Sequence, residues 1–246
     1  MSRPPLLFLH GFTGSGADWR SFYPLFPQFD SIALDLPGHG RNLPPAPRTM
    51  AQTAVDVVEQ MEERVGKRPF HLLGYSMGGR LALYIALHYP DLIISLTLES
   101  ESPGLATTSA RQQRRQRDNA LAARIVQDGI VDFVDFWEKL SLWESQQQFS
   151  PQIRADLRRK RLRNDPHGLA NSLRGMGTGV QPSLWPRLGE LTIPVHLIVG
   201  ALDHKFVAIA QEMAQAMANV RLDVVAGAGH TVHLERPLMF QQLIND

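Results

Sequence analysis

Residues 70–79 read FHLLGYSMGG, and this stretch decides the fold of the chain. A short apolar run leads into residues 74–78, which match the pattern Gly-x-Ser-x-Gly, and a helix-like segment follows up to His88. A serine in this setting stands on a sharp, strained turn between strand and helix, which exposes its hydroxyl group. The pattern therefore predicts that Ser76 takes part in chemistry, against the alternative of a glycine turn that happens to contain a serine.

Apolar runs that end in turn residues recur on both sides of this stretch. They cover residues 6–9, 31–34, 93–98, 195–200 and 221–225. Runs of this length are typical of strands that are buried on both faces of a parallel sheet. Segments with helical periodicity lie between them, at residues 50–65, 77–88 and 207–217. The alternation predicts an α/β fold with a mostly parallel central sheet flanked by helices.

The alternation of strands and helices stops in the middle of the chain. Three segments there have helical patterns, at residues 111–126, 130–142 and 152–163. A glycine-rich run at residues 175–179 follows them and interrupts the helical pattern. We therefore expect residues 1–102 and 187–246 to form the α/β core. Residues 103–186 are expected to form a helical cap inserted into that core.

The charge of the chain is unevenly distributed. The 246 residues have a formal net charge of +1, which argues against a protein that binds nucleic acid over its whole surface. Residues 103–190, however, contain 14 Lys and Arg against 9 Asp and Glu. A basic internal segment indicates a surface that meets an anion, although a solvated helical face has a similar composition.

The composition also excludes several classes of protein. The chain has no cysteine, which excludes a disulfide scaffold, a cysteine nucleophile and a thiolate metal site. No apolar run approaches the roughly 18–20 residues of a membrane span, so we expect no stable membrane insertion. The start of the sequence has no signal-peptide pattern. We therefore expect a cytoplasmic protein, and we expect it to be a monomer.

Two further residues complete a catalytic arrangement with Ser76. A serine hydroxyl needs a histidine as its proton acceptor, and that histidine needs a carboxylate to orient it. Asp203 follows the apolar run at 195–200, and His230 lies in the glycine-rich turn after the next run. Both positions are carboxyl ends of predicted parallel strands, where such sheets place their sites. We expect Ser76, Asp203 and His230 to form a triad.

These residues resemble the α/β-hydrolase superfamily over nearly the whole chain. In that fold the loop after the first strand and the residue after the serine supply two backbone amides to an oxyanion hole, which here are those of Phe12 and Met77. The sequence has no His, Asp or Glu cluster with metal-ligand spacing, and residues 14–16 lack the lysine and spacing of a phosphate loop. We therefore expect neither a metal nor a nucleotide cofactor.

A narrower resemblance is to the family of 2-succinyl-6-hydroxy-2,4-cyclohexadiene-1-carboxylate synthases. The serine loop is shared by many hydrolases, whereas the cap arginines and the run at 203–206 are much less generic. The resemblance rests on Arg80, residues 102–105, Arg111, Arg114, Arg117, Asp118, Phe133, Trp137, Arg163, residues 200–206 and residues 229–235.

The resemblance implies a lyase of menaquinone or phylloquinone biosynthesis. Its substrate is 2-succinyl-5-enolpyruvyl-6-hydroxy-3-cyclohexene-1-carboxylate, from which the family removes a ring proton and expels pyruvate. Ser76 is then the base, relayed by His230 and oriented by Asp203, and the oxyanion hole stabilises an enolate. This role agrees with the local chemistry, because an activated alkoxide can abstract a proton as well as attack carbon.

A substrate with several carboxylates gives the arginines a purpose, because arginine binds carboxylates with two parallel hydrogen bonds. The resemblance nominates Arg80, Arg114 and Arg163 for this role, with Tyr75 and Trp137 lining the apolar part of the pocket. The alternatives are solvated arginines and an aromatic residue of the cap core.

Several alternatives stay open at this point. Asp203 has the position of a helix-capping residue, His233 competes with His230, and Glu99 competes with Asp203 as the acid of the triad. Glu99 and Glu101 are also unfavourable beside an anionic substrate, unless they point away from it or pair with cap arginines.

Two other functions fit the same residues. A serine hydrolase, either an esterase or a carbon–carbon hydrolase, would act on a small carboxylate-bearing substrate through a covalent intermediate on Ser76. A homologue without activity would bind a ligand, but the complete set of triad residues argues against it. The arginine-rich cap favours the lyase, since an esterase for neutral esters has no use for it.

Overall fold

A sheet of six parallel strands forms the centre of the protein, which is seen in a computed structural model. The structure describes residues 3–245; Met1 and Ser2, at the start where no signal pattern was seen, lie outside the described residues. The strands are β1 (Pro5–Leu9), β2 (Asp30–Leu34), β3 (Phe70–Tyr75), β4 (Ile93–Glu99), β5 (Val195–Gly200) and β6 (Val220–Val225). They lie in the order β2-β1-β3-β4-β5-β6, and the predicted α/β class is confirmed.

Eight α-helices accompany the sheet in the described chain. They are α1 (Met50–Val65), α2 (Met77–His88), α3 (Thr108–Trp137), α4 (Pro151–Leu162), α5 (Pro166–Met176), α6 (His204–Ala216), α7 (Val232–Glu235) and α8 (Pro237–Asn245). The first two have the bounds that the sequence predicts. Thr49 fixes the start of α1, because its side chain accepts a hydrogen bond from the amide of Gln52. None of these helices is long and apolar enough to cross a membrane.

The two faces of the sheet bury different clusters. Leu7, Leu72 and Leu96 belong to a large cluster that also contains the apolar faces of α1, α2 and α6. On the other face, Phe8 and Leu73 lie in a cluster with aromatic residues of the 3-10 helix Gly16–Leu25 and with α8. Apolar residues on both faces explain why the central strands read as continuous apolar runs.

The register of the sheet sets the position of the loops that follow the strands. Gly74 at the end of β3 pairs with Leu9 of β1 on one side and with Leu98 of β4 on the other. The carboxyl ends of these strands therefore meet at one edge. The three residues nominated for the triad, Ser76, Asp203 and His230, follow β3, β5 and β6 at this edge.

The segment between β4 and β5 is mostly helical, and its details differ from expectation. The two helical segments predicted at 111–126 and 130–142 are confirmed as the two parts of α3, which are separated by Gly129 with its non-helical φ of 84°; the second part ends at Trp137. Residues 141–148 form a separate 3-10 turn. The sequence did not predict α5, which starts where Asp165 caps the amide of Gly168 and ends at Met176, inside the glycine-rich run.

The inserted helices have their own apolar cluster. Ala122, Ile125 and Phe133 of α3 contact Leu169 and Leu173 of α5. Phe12, in the loop after β1, packs against this cluster from the other side, with its ring centroid 5.4 Å from that of Trp137. The insert therefore lies over the loops that follow the strands.

Candidate active site

Ser76 stands on the strained turn that its sequence context predicts. Its φ of 50° and ψ of −108° lie in a region that residues with side chains rarely occupy. The turn approaches β1 closely, which explains why position 78 is a glycine. A methyl group on Gly78 would be 2.3 Å from the carbonyl oxygen of Leu9 and 2.7 Å from that of His10. The glycine lets α2 start against the end of β1, and the turn lifts Ser76 out of the sheet.

The structure brings Ser76, His230 and Asp203 together. Nε2 of His230 lies 3.0 Å from Oγ of Ser76, and Nδ1 lies 2.7 Å from Oδ2 of Asp203. A carboxylate only accepts hydrogen bonds, so Nδ1 carries a proton and donates a hydrogen bond to Asp203. Nε2 is then the acceptor for the serine hydroxyl. The side chain of His230 is 2% exposed, which keeps this relay out of water.

Hydrogen bonds show where the three alternative triad residues lie. Asp203 starts α6, but its side chain makes no capping bond and turns to His230 instead. Glu99 is fully buried and accepts hydrogen bonds from both the amide and Nδ1 of His233. Glu99 and His233 therefore form a second buried pair, separate from the relay. Tyr75 lies between the two pairs, with its ring 5.5 Å from that of His230 and 4.9 Å from that of His233.

Ser76 opens onto a cavity of about 800 Å³ between the sheet edge and the inserted helices. Phe12 and Met77, whose amides were nominated for an oxyanion hole, both line it. Met77 is the first residue of α2, where backbone amides have no acceptor within the helix. Within residues 3–245, no group of three or more His, Asp or Glu is arranged to hold a metal ion.

Two of the nominated arginines line this cavity. Arg80 donates from Nη1 to the carbonyl of Met176 at 2.8 Å and to the side chain of Gln181 at 3.1 Å. Burial and the neighbouring Arg114 lower the pKa of Arg80 to about 10, so it stays charged at neutral pH. Arg114 donates from Nε to Asp118 at 2.7 Å. Its two terminal nitrogens have no acceptor within residues 3–245, which leaves them available to a ligand.

Arg163 does not lie in this cavity. It is exposed at the end of α4 and lines a separate surface cleft with Asp18 and Asp35. The arginine of this segment that is largely shielded from solvent is Arg161, whose side chain is 12% exposed and which lies two residues away. Side chains two positions apart in a helical backbone are separated by about 200° around its axis, so Arg161 and Arg163 point in nearly opposite directions.

Arg161, which sequence reasoning missed, lines a smaller cavity that shares Phe12, Tyr75 and Trp143 with the main one. Its Nη1 donates to Glu138 and its Nη2 to Gln146, both at 2.9 Å, and its guanidinium lies 5.2 Å from the centre of the Trp143 ring. The signal that could have found it is weak, because α4 is basic on several sides.

The two nominated aromatic residues also line the main cavity. Tyr75 is buried, and burial together with the charge of Glu99 raises its pKa well above the ordinary value, so its phenol stays neutral. Trp137 packs between the rings of Phe12 and Trp143, and its Nε1 is buried without a hydrogen-bond partner in the described chain. Tyr75 and Trp137 therefore each supply an apolar ring surface and one neutral hydrogen-bond donor.

Comparisons with known proteins agree with this geometry. A family model described as the alpha/beta hydrolase fold matches residues 4–237. The chain is 31% identical to the 2-succinyl-6-hydroxy-2,4-cyclohexadiene-1-carboxylate synthase of Serratia proteamaculans (strain 568), over 97% of this chain and 90% of that protein. It is 43% identical to a Bacillus subtilis (strain 168) protein that provisionally carries the same name, over 97% of this chain and 88% of that protein.

A solved structure of MenH from S. aureus has the same fold along its length. It superposes with a TM-score of 0.95 at 35% identity, and the match covers 100% of this chain and 93% of that one. The resemblance that the cap arginines and the serine loop indicate is therefore confirmed. The chain belongs to the α/β-hydrolase superfamily and, within it, to the family of 2-succinyl-6-hydroxy-2,4-cyclohexadiene-1-carboxylate synthases.

Proposed function

We propose that the protein is a carbon–oxygen lyase that converts 2-succinyl-5-enolpyruvyl-6-hydroxy-3-cyclohexene-1-carboxylate into 2-succinyl-6-hydroxy-2,4-cyclohexadiene-1-carboxylate and pyruvate. The observation that carries the proposal is the placement of Arg80 and Arg114 in the same cavity wall as the hydroxyl of Ser76. A base and two cationic groups then face one substrate that carries both an acidic proton and carboxylates.

The bond changes follow from comparing substrate and product. The ring has one double bond at carbon 3 before the reaction and two, at carbons 2 and 4, after it. Carbon 2 therefore loses a proton, and the bond between carbon 5 and the enolpyruvyl oxygen breaks. The electron pair of the C–H bond passes through an enolate at the succinyl ketone to the departing oxygen. The released enolate of pyruvate takes up a proton to give pyruvate, and no water is consumed.

The relay of Ser76 supplies the base for this step. As Oγ of Ser76 takes the ring proton, its own proton passes to Nε2 of His230, 3.0 Å away. Asp203 stabilises the imidazolium that forms. The amides of Phe12 and Met77 donate to the enolate oxygen as charge develops there. A relay of this kind contributes roughly 10²–10⁴-fold to the rate.

The arginines of the main cavity and of the smaller cavity beside it hold the carboxylates of the substrate. Arg80, Arg114 and Arg161 are assigned this role, while Tyr75 and Trp137 border the ring. Residues 103–186 act as a cap that shields the reacting atoms from water, because they supply Arg114, Trp137 and the wall around them.

The test is a direct assay on the purified protein. The substrate is prepared enzymatically, and pyruvate release and diene absorbance are followed together. We expect equal amounts of pyruvate and diene, without a burst that would mark a covalent intermediate. The proposal fails if pyruvate is released no faster than in the absence of protein. A burst with an activated ester and a stable label on Ser76 would instead show a hydrolase.

Replacing Arg161 and Arg163 one at a time tests which of these two arginines, at the end of α4, contacts the substrate. We expect Arg161→Gln to raise KM by about 10–100-fold, because a charged hydrogen-bond pair contributes roughly 1.5–3 kcal/mol. Arg163→Gln is the matched control, with the same change of charge on the exposed side of the helix, and should leave KM within about twofold of the native value. A rise in KM for Arg163→Gln alone would reverse the assignment.

A further inference from the structure

A buried carboxyl group, Glu101, stands beside Arg80 in the cavity wall and takes no part in the relay. It follows β4 by two residues and comes after Ser100, whose φ of 49° lies in the left-handed region. Its side chain lies against the first turn of α2. A methyl group on Gly79 would be 2.6 Å from Cβ of Glu101 and 2.9 Å from its Cγ. The glycine at position 79 is therefore what gives Glu101 its place.

The carboxyl group of Glu101 has no hydrogen-bond partner within residues 3–245. The residue is 4% exposed, and both of its carboxyl oxygens are buried. Arg80 does not bond to it and donates instead to Met176 and Gln181. An ionised carboxylate without donors is strongly unfavourable away from water, so the group is neutral. Burial raises the pKa of Glu101 to about 8, against an opposing effect of the charge of Arg80.

The other acid near Arg80, Asp118, is already paired. Asp118 on α3 accepts hydrogen bonds from Nε of Arg114 and from the amide of Gly179. No ion pair of Arg80 is found among the described residues, although Asp118 and Glu101 both favour its charged form. With Glu101 neutral, Arg80 therefore presents an uncompensated positive charge to the cavity.

The remaining acids around the cavity also have partners or lie in water. Glu99, the last residue of β4, is bonded to His233, and Asp203 across the cavity is bonded to His230. Glu144 lines the cavity as well, but its side chain is exposed. Glu101 is thus the acid whose loss of a proton would change the charge beside Arg80.

We propose that Glu101 is a specificity-determining residue: while it holds its proton, Arg80 is free to pair with a substrate carboxylate, and when it loses that proton the cavity rejects the anion. The inference rests on the proposed function, which supplies the polycarboxylate. Glu101 acts through Arg80 and does not need to touch the reacting atoms. An anion bound beside Arg80 disfavours a second negative charge, so binding and protonation of Glu101 are coupled.

The experiment measures KM and kcat between pH 6 and pH 9.5 on the native protein and on Glu101→Gln. We expect the native KM to be about tenfold higher at pH 9 than at pH 7, since ionisation near pH 8 removes the binding form. The value of kcat should not follow this rise, because the bound enzyme keeps the proton. Glu101→Gln should show a flat KM over the same range, with a KM at pH 7 close to the native one.

Glu144→Gln is the matched control, because it removes an exposed acid from the same cavity and should keep the rise in KM. The proposal is overturned if Glu101→Gln keeps the rise, which would then belong to another group such as Arg80. It is also overturned if Glu101→Gln raises KM at pH 7 more than about tenfold, since the carboxylate itself would then be needed.

A measurement without turnover separates this proposal from the proposed function. A ¹³C NMR titration of the glutamate carboxyl groups of the native protein should contain one midpoint near pH 8, absent in Glu101→Gln. If all midpoints lie below pH 6, Glu101 is ionised and the proposal fails, whatever the activity. If the native protein releases no pyruvate, succinate serves as a dicarboxylate probe, and its Kd should rise between pH 7 and pH 9 in the native protein alone.

Discussion

Ser76→Ala is expected to lower kcat for pyruvate release by about 10²–10⁴-fold while leaving KM within about threefold of the native value. The change removes the oxygen that takes the ring proton. The nearest remaining base is Nε2 of His230, which lies 3.0 Å behind the position of that oxygen. The arginines that bind the carboxylates are untouched. A loss in kcat without a loss in binding therefore distinguishes a base from a residue that only holds the substrate.

The control for this variant is Ser141→Ala, which removes an exposed hydroxyl from the wall of the same cavity. Its kcat should stay within about twofold of the native value. Steady-state assays of pyruvate release over a range of substrate concentrations give both parameters. If Ser76→Ala keeps more than a tenth of the native kcat, Ser76 is not the base.

The second large effect is expected on stability. Gly78→Ala places a methyl group 2.3 Å from the carbonyl oxygen of Leu9 and 2.7 Å from that of His10, and these backbone atoms at the end of β1 cannot shift easily. We expect the free energy of unfolding to fall by about 3 kcal/mol, as for severe overpacking. For a chain of this length, that corresponds to a decrease in Tm of roughly 6–12 °C. Activity should fall as well, because α2 carries the amide of Met77 and the turn of Ser76.

Gly189→Ala is the matched control for this prediction. A methyl group there meets its nearest neighbour, the carbonyl oxygen of Ala216, at an ordinary distance of 3.6 Å. Its Tm should change by no more than about 2 °C in either direction. Thermal unfolding followed by circular dichroism measures both variants. Equal Tm values for Gly78→Ala and the native protein would show that the turn does not need the close approach to β1.

The core of the fold could be predicted because its signals are local. The bounds of α1 and α2 follow from the periodicity of their apolar residues and from a capping residue at Thr49. The triad was equally accessible, since Ser76, Asp203 and His230 each follow a predicted strand. Parallel strands bring their carboxyl ends to one edge, so the order of the chain already places these residues together.

The orientation of the inserted helices was harder to predict, because their sequence does not show which face of each helix contacts the rest of the protein. No residue of α4 is buried, and its basic side chains surround the helix, so no apolar stripe indicates which face meets the cavity. This is why Arg163 was nominated and Arg161 was missed. The neutral state of Glu101 was hidden for a related reason. It depends on the absence of hydrogen-bond donors around the carboxyl group, and the packing of segments that are distant in sequence determines that absence.

The central claim is that Ser76 acts as a base on a ring carbon and forms no covalent bond to the substrate. A single-turnover measurement with substrate deuterated at carbon 2 tests it most directly, because product release then cannot mask the chemical step. We expect pyruvate to be released several-fold more slowly from the deuterated substrate, with no change in the mass of the peptide that contains Ser76. Equal rates for the two substrates, together with a covalent adduct on Ser76, would contradict the claim.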